Sequence, residues 1–145
     1  QILRHRSFSF QEFSQRYADP RMIGFQTYDA RRQDTKNRQA SHDDLSQETK
    51  DWWILQQQWL QKTASVIYEQ AVNQGIAKEC ARMILPMETS TRLYMAGTIR
   101  SWIHYIDLRT TEETQREHRD IATEIKNILI TEIPIIAEAL EWKVS

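Results

Sequence analysis

The sequence predicts an α+β chain, mostly helical, with a few short antiparallel strands. Three observations predict it. Only three Gly and three Pro punctuate 145 residues, which favours long regular elements over tight turns. Apolar residues recur at helical spacing through residues 46–74 and again after residue 98. Between and before these lie short aromatic-rich stretches that alternate as strands do. The length suits one domain, residues 1–145.

Taken in order, residues 1–6 read as the end of a helix, and residues 7–17 as an extended loop with a short strand. Asp19-Pro20 interrupts, because the residue before Pro is pushed out of helical space. A second strand is expected at 22–28. Residues 29–44 are almost wholly polar, with no apolar period, and read as a mobile excursion or lid. A long helix follows at 46–74. Trp53, Leu60, Ala64, Ile67 and Ala71 form its expected core stripe, widened by Trp52, Leu55, Trp59 and Val66, and Gly75 caps it. A shorter helix at 77–85 stops before Pro86. Residues 88–96 alternate as a strand. Gly97-Thr98 then turns into a helix at 98–108, with Thr98 as N-cap and Ile99, Ile103 and Ile106 inward. Thr110 and Glu113 have capping-box spacing for a following helix that buries Ile121, Ile125, Ile128 and Leu129. Pro134 ends it, and a last short helix is expected at 135–142.

Composition narrows the functional classes. The net charge of -1 and pI near 6.5 give no global attraction to nucleic acid or an acidic membrane. No run approaches a membrane span, and no signal-peptide pattern is seen. One Cys excludes an internal disulfide framework and suits a reducing, cytoplasmic compartment. Four scattered His and the single Cys give no metal-ligand spacing.

The chemistry is concentrated in two blocks. The first runs Arg4-His5-Arg6-Ser7-Phe8-Ser9-Phe10-Gln11-Glu12-Phe13-Ser14-Gln15-Arg16-Tyr17. Arginine forks suit phosphate or the edge of a planar heterocycle, and a histidine ring stacks or exchanges a proton. The interleaved Phe residues would anchor the segment while its polar groups face a ligand. The second block holds Glu79-Cys80-Ala81-Arg82 before Leu85-Pro86. It continues through Thr98-Ile99-Arg100, His104, Asp107-Leu108-Arg109 and residues 115–119. Taken singly, each residue has a plainer reading. Arg82 is placed to pair with Glu79 at i, i+3, Arg109 to complement a helix C-terminus, and His104 to sit in the core.

Arg4-His5-Arg6, seven residues and then Ser14 resembles the signature of the flavin-dependent thymidylate synthases. Gln1, Glu12 and Arg16-Tyr17 match the same pattern, and the second block is similar to that family's second region. The resemblance implies a fragment lacking the N-terminal part, in a homotetramer whose active sites lie between subunits. It implies reductive methylation of dUMP to dTMP, with 5,10-methylenetetrahydrofolate as methylene donor, FAD as cofactor and NADPH as hydride source. FAD would be held by Arg4, His5, Arg6, Glu12, Thr98, Ile99, Arg100 and His104. The nucleotide would be held by Gln1, Arg4, Glu12, Ser14, Gln15, Arg16, Arg82 and Arg109. Arg16, Arg82 and Ser14 would take the phosphate, and Arg109 the pyrimidine edge as the catalytic residue. Thr98 and His104 stand where many family members have Asn. Ser14 has no nearby base and is assigned to binding, and Cys80 is expected in a buried helix as a small hydrophobe. The alternatives are a homologue that binds nucleotide or flavin, or only assembles, without catalysis, and a helical adaptor that docks through its tryptophans.

Overall fold

The computed structural model describes residues 1–19, 24–37 and 40–144. The chain forms two compact units, each drawn from separated segments. One comprises Gln1–Ser9, Gln33–Ser41 and Met95–Ser145, and the other Phe10–Arg32 and His42–Tyr94. The α+β expectation holds: about half of the described residues are helical, in five α-helices with short 3-10 turns, and a few short strands pair. Strand β1 (Ser9–Glu12) pairs with β4 (Leu93–Ala96), and β2 (Arg32–Gln33) with β3 (Ser41–His42). Just past the ends of the first pair, Phe13 N donates to Arg92 O at 2.8 Å, which makes that pair antiparallel.

In the first unit, a 3-10 turn at Ile2–Arg4 stands where a helix end was expected. Helix α3 (Ile99–Arg109) starts as its sequence predicts, because Thr98 accepts from Ser101 N and satisfies an otherwise open donor. Its buried residues are Tyr105 and Ile106, whereas Ile99 is exposed. The capping box at Thr110 and Glu113 does not form. The Thr110 hydroxyl instead donates back to Ile106 O at 2.8 Å, and α4 (Arg116–Glu132) starts six residues later, after Gln115. The α4 face also differs from expectation. Ala122 is its buried residue, Ile125 and Leu129 are half-buried, and Ile121 and Ile128 are exposed. Pro134 ends α4 and opens α5 (Pro134–Ala139) at its first position, where a missing N–H costs nothing. Phe8 packs edge-on against Trp102, with centroids 4.7 Å apart. Its ring lies so close to Gly97 that a Cβ there would sit 2.5 Å from Phe8 Cδ1.

In the second unit, α1 (Gln47–Asn73) has nearly the predicted bounds. Ser46 accepts from Thr49 N at its start, and Gly75 follows its end at φ +84. The buried residues are Gln57, Ala64 and Tyr68; of the expected stripe Ala64 is buried, and its tryptophans are not. The reason is visible at Gln57. Its amide accepts from Tyr28 N and donates to Tyr28 O, both at 2.9 Å, as a paired strand residue would. Gln61 donates to Gln26 O at 3.0 Å, so the incoming segment covers the glutamine side of α1. Trp52, Trp53, Trp59, Leu55, Leu60, Val66 and Ile67 remain exposed.

The helix expected at 77–85 divides into α2 (Lys78–Ala81) and a 3-10 turn at Arg82–Ile84. Cys80 is exposed, contrary to the buried role expected of it. Of the strand expected at 22–28, residues 22 and 23 lie outside the described residues, and Phe25 makes an isolated antiparallel bridge to Thr89. The polar excursion contains short regular structure among its described residues. The β2–β3 pair forms within it, and the Asp34 carboxylate accepts from Lys36 N at 2.7 Å and Asn37 N at 2.6 Å.

Candidate functional site

In the first unit, the two sequence blocks meet at one hydrogen bond. Arg109 Nε, on the last turn of α3, donates to His5 Nε2 at 2.9 Å across 104 residues of sequence. His5 is buried beside Tyr105, with ring centroids 4.9 Å apart and planes at 69°. Because Nε2 accepts, His5 is neutral and carries its proton on Nδ1. Burial lowers its pKa, and the Arg109 charge and His104 lower it further. Anchoring Arg109 through Nε leaves both Nη groups without a partner among the described residues. An open guanidinium fork of this kind is suited to two acceptors on a planar edge. The dipole-cap reading of Arg109 thus gives way to a side chain fixed at one end and open at the other.

Other predicted residues of this unit are exposed donors. Arg4, Arg6 and Arg100 make no side-chain hydrogen bond or ion pair among the described residues, and His104 faces solvent. Thr98 and Ile99 open α3, where free backbone N–H groups and the helix dipole favour an anion. This donor set fits a dinucleotide carrying a pyrophosphate. Gln1 differs: its Oε1 is 3.2 Å from His118 Nδ1.

The second unit holds the predicted phosphate group. Arg16 Nη2 bonds Glu79 Oε2 at 3.1 Å, and Arg82 Nε donates to Glu79 O at 3.3 Å. Arg16 and Arg82 therefore converge on one residue, though the expected Arg82–Glu79 side-chain pair is not the contact made. Ser14 is exposed and Gln15 half-buried. Glu12 accepts from the Thr91 hydroxyl at 2.9 Å and lines an open hollow of about 260 Å³ with Gln11, Phe13, Arg92 and Tyr94.

Comparison with known proteins decides the family. Residues 1–135 match the family described as Thy1, thymidylate synthase complementing protein. The chain belongs to this family. It is 54% identical over 142 residues to a probable flavin-dependent thymidylate synthase of Paramecium bursaria Chlorella virus 1, covering 98% of this chain and 65% of that protein. It is 53% identical, with the same coverage, to the flavin-dependent thymidylate synthase of Synechocystis sp.. Among solved structures, a UMP/dUMP methylase, PolB from Streptomyces cacaoi bound with 5-Br UMP, superposes with a TM-score of 0.84. That match is 28% identical and covers 95% of this chain and 66% of PolB. The Thy1 chain thus spans about 65% of the length of the two curated relatives.

Three residues of this Thy1 chain take part in the site geometry without having been assigned to it. Glu79 was read only as a helix partner, and it occupies Arg16. Tyr105 lies between Ile103 and Ile106, which carry the apolar period, and is fully buried. His118 lay within the second block at 115–119 without a role. Its Nε2 is 2.9 Å from the Tyr105 hydroxyl. Burial, with Arg109 and His5 adding to it, holds the His118 pKa down to about 4. The signal for both was available: a tyrosine and a histidine flanking the one predicted catalytic arginine.

Proposed function

We propose that this Thy1-family chain acts in a flavin-dependent thymidylate synthase, which methylates dUMP reductively to dTMP. The observation that carries the reading is the Arg109–His5 hydrogen bond, which ties a residue of the first family-like block to one of the second. The names of the Chlorella virus and Synechocystis relatives, and the nucleotide bound in PolB, support it.

The residues take these roles. Arg109 presents its Nη fork to the pyrimidine edge and stabilises negative charge as C5 becomes nucleophilic. Arg16, Arg82 and Ser14 take the phosphate dianion, which displaces the Glu79 carboxylate from Arg16. Gln1, Arg4, Glu12 and Gln15 orient the rest of the nucleotide. Arg4, His5, Arg6, Glu12, Thr98, Ile99, Arg100 and His104 would hold FAD, the arginines supplying donors suited to phosphate. When bound, the flavin supplies the hydride that completes the methyl group, drawn from NADPH, while 5,10-methylenetetrahydrofolate supplies the carbon. The assembly is a homotetramer with sites shared between subunits. The exposed tryptophan face of α1 supports that state.

The test is a purified protein assayed for flavin absorbance, dUMP-dependent NADPH oxidation and dTMP. Arg109→Lys should retain flavin and lose about a hundredfold or more in kcat, since a Lys cannot offer a fork. Flavin without turnover would favour the non-catalytic alternative. Neither flavin nor nucleotide binding would remove the proposal.

A further inference from the structure

His118 ties together two residues that the proposed function places on the nucleotide. From α4 it faces Gln1 in the opening segment with Nδ1 and Tyr105 on α3 with Nε2. The donors can be assigned from chemistry. The Gln1 Oε1 atom only accepts, so Nδ1 carries the proton and donates to it. Nε2 is then a lone pair, and the Tyr105 hydroxyl donates to it. Tyr105 in turn lies edge-on against His5, and His5 accepts from Arg109. One line of contacts therefore runs from Gln1 through His118, Tyr105 and His5 to Arg109. It joins the opening segment, α3 and α4.

We propose that His118 and Tyr105 are positioning residues that fix Gln1 and Arg109 relative to each other for the pyrimidine. The inference rests on the thymidylate synthase reading. Each member needs its neighbour's proton state. A protonated His118 would present an N–H to the Tyr105 hydroxyl and lose its acceptor. A protonated His5 would present an N–H to Arg109 Nε and break the bond that aims the guanidinium. The charged and titratable groups around the pair all favour the neutral forms. For His118 they are Arg109 and His5, and for His5 they are Arg109 and His104. Tyr105 is fully buried and burial raises its pKa, so it remains a donor. The Arg109 Nη groups stay open because the line ends on Nε.

The experiment uses the flavin-loaded enzyme and three variants: Tyr105→Phe, His118→Leu and His118→Asn. Phe removes one hydroxyl and keeps the ring packing. Leu fills the His118 space without polar atoms. Asn places an amide nitrogen near the Nδ1 position and restores the donor to Gln1. Loss of one such hydrogen bond should raise the KM for dUMP about fivefold in Tyr105→Phe. In His118→Leu, where both bonds are lost, the rise should be about tenfold or more. Flavin content should match that of the unmodified enzyme in both. His118→Asn should recover to within about threefold of the unmodified KM. A purely structural role predicts the reverse order, with the apolar Leu tolerated and the KM following thermal stability. Unchanged KM in both Tyr105→Phe and His118→Leu, or a rise in Tyr105→Phe matched by flavin loss, overturns the proposal alone. An unmodified enzyme without dUMP-dependent turnover overturns the underlying reading and this inference together.

Discussion

Arg16 meets Glu79 in an ion pair whose partners are both about half exposed, at 53% each. Exposed pairs of this kind contribute under about 1 kcal/mol, so a phosphate dianion can replace the carboxylate. Glu79→Gln should therefore lower the KM for dUMP up to about fivefold, read by steady-state kinetics. A higher KM would instead make Glu79 part of the binding geometry. The pH dependence of folding belongs to the same scale. His118 is held near pKa 4 in the fold against an ordinary 6.5. Between these values the unfolded chain binds a proton there that the folded chain excludes, so stability is full above about pH 6.5 and falls as pH drops toward 4. Urea midpoints across that window should slope less in His118→Asn than in the unmodified protein, and equal slopes would show that another group carries the effect. At this scale the arginines were legible, because guanidinium chemistry is local. The long-range contacts were not: Arg16 meets Glu79 across 63 residues, Arg109 meets His5 across 104, and His118 meets Gln1 across 117.

Helix ends were easier to read than helix faces. Ser46, Gly75, Thr98 and Pro134 each act on the adjacent backbone, and each stands where its chemistry predicts. The Thr110–Glu113 box did not form because Thr110 closes α3, its hydroxyl donating back to Ile106 O, and α4 starts only after Gln115. Buried faces depend on what arrives from elsewhere. On α1 the backbone at residues 26–28 selected glutamines over tryptophans, and no periodicity encodes that preference. Gly97 is the sharpest element-level test. Gly97→Ala would place a methyl 2.5 Å from the Phe8 ring, which is itself packed on Trp102. The expected loss is about 1–3 kcal/mol, read as a lower melting temperature. Phe8→Leu in the same background should recover part of it, because the smaller side chain vacates the contact. Additive losses in the double variant would mean that Phe8 is not the obstacle.

At the scale of the whole molecule, the apolar surface of α1 asks for a partner. Trp52, Trp59 and Val66 repeat at seven-residue intervals, as do Trp53, Leu60 and Ile67, so both rows run along adjacent lines of the helix. All six are exposed, with Trp52 at 55% and Trp59 at 66%. Two large indoles left this open are uncommon on a monomer surface and typical of an interface core. Covering about 100 Å² on each would contribute about 2–3 kcal/mol apiece, and a two-fold contact counts every such residue twice. The pair Trp52→Glu and Trp59→Glu should therefore lower the oligomeric mass measured by sedimentation. The helix itself should stay intact by circular dichroism, since neither residue is buried. If flavin sites are shared between subunits, bound flavin should fall with the same concentration dependence as the mass. An unchanged mass would place the interface on another face. A smaller assembly that keeps its flavin would separate cofactor binding from this contact.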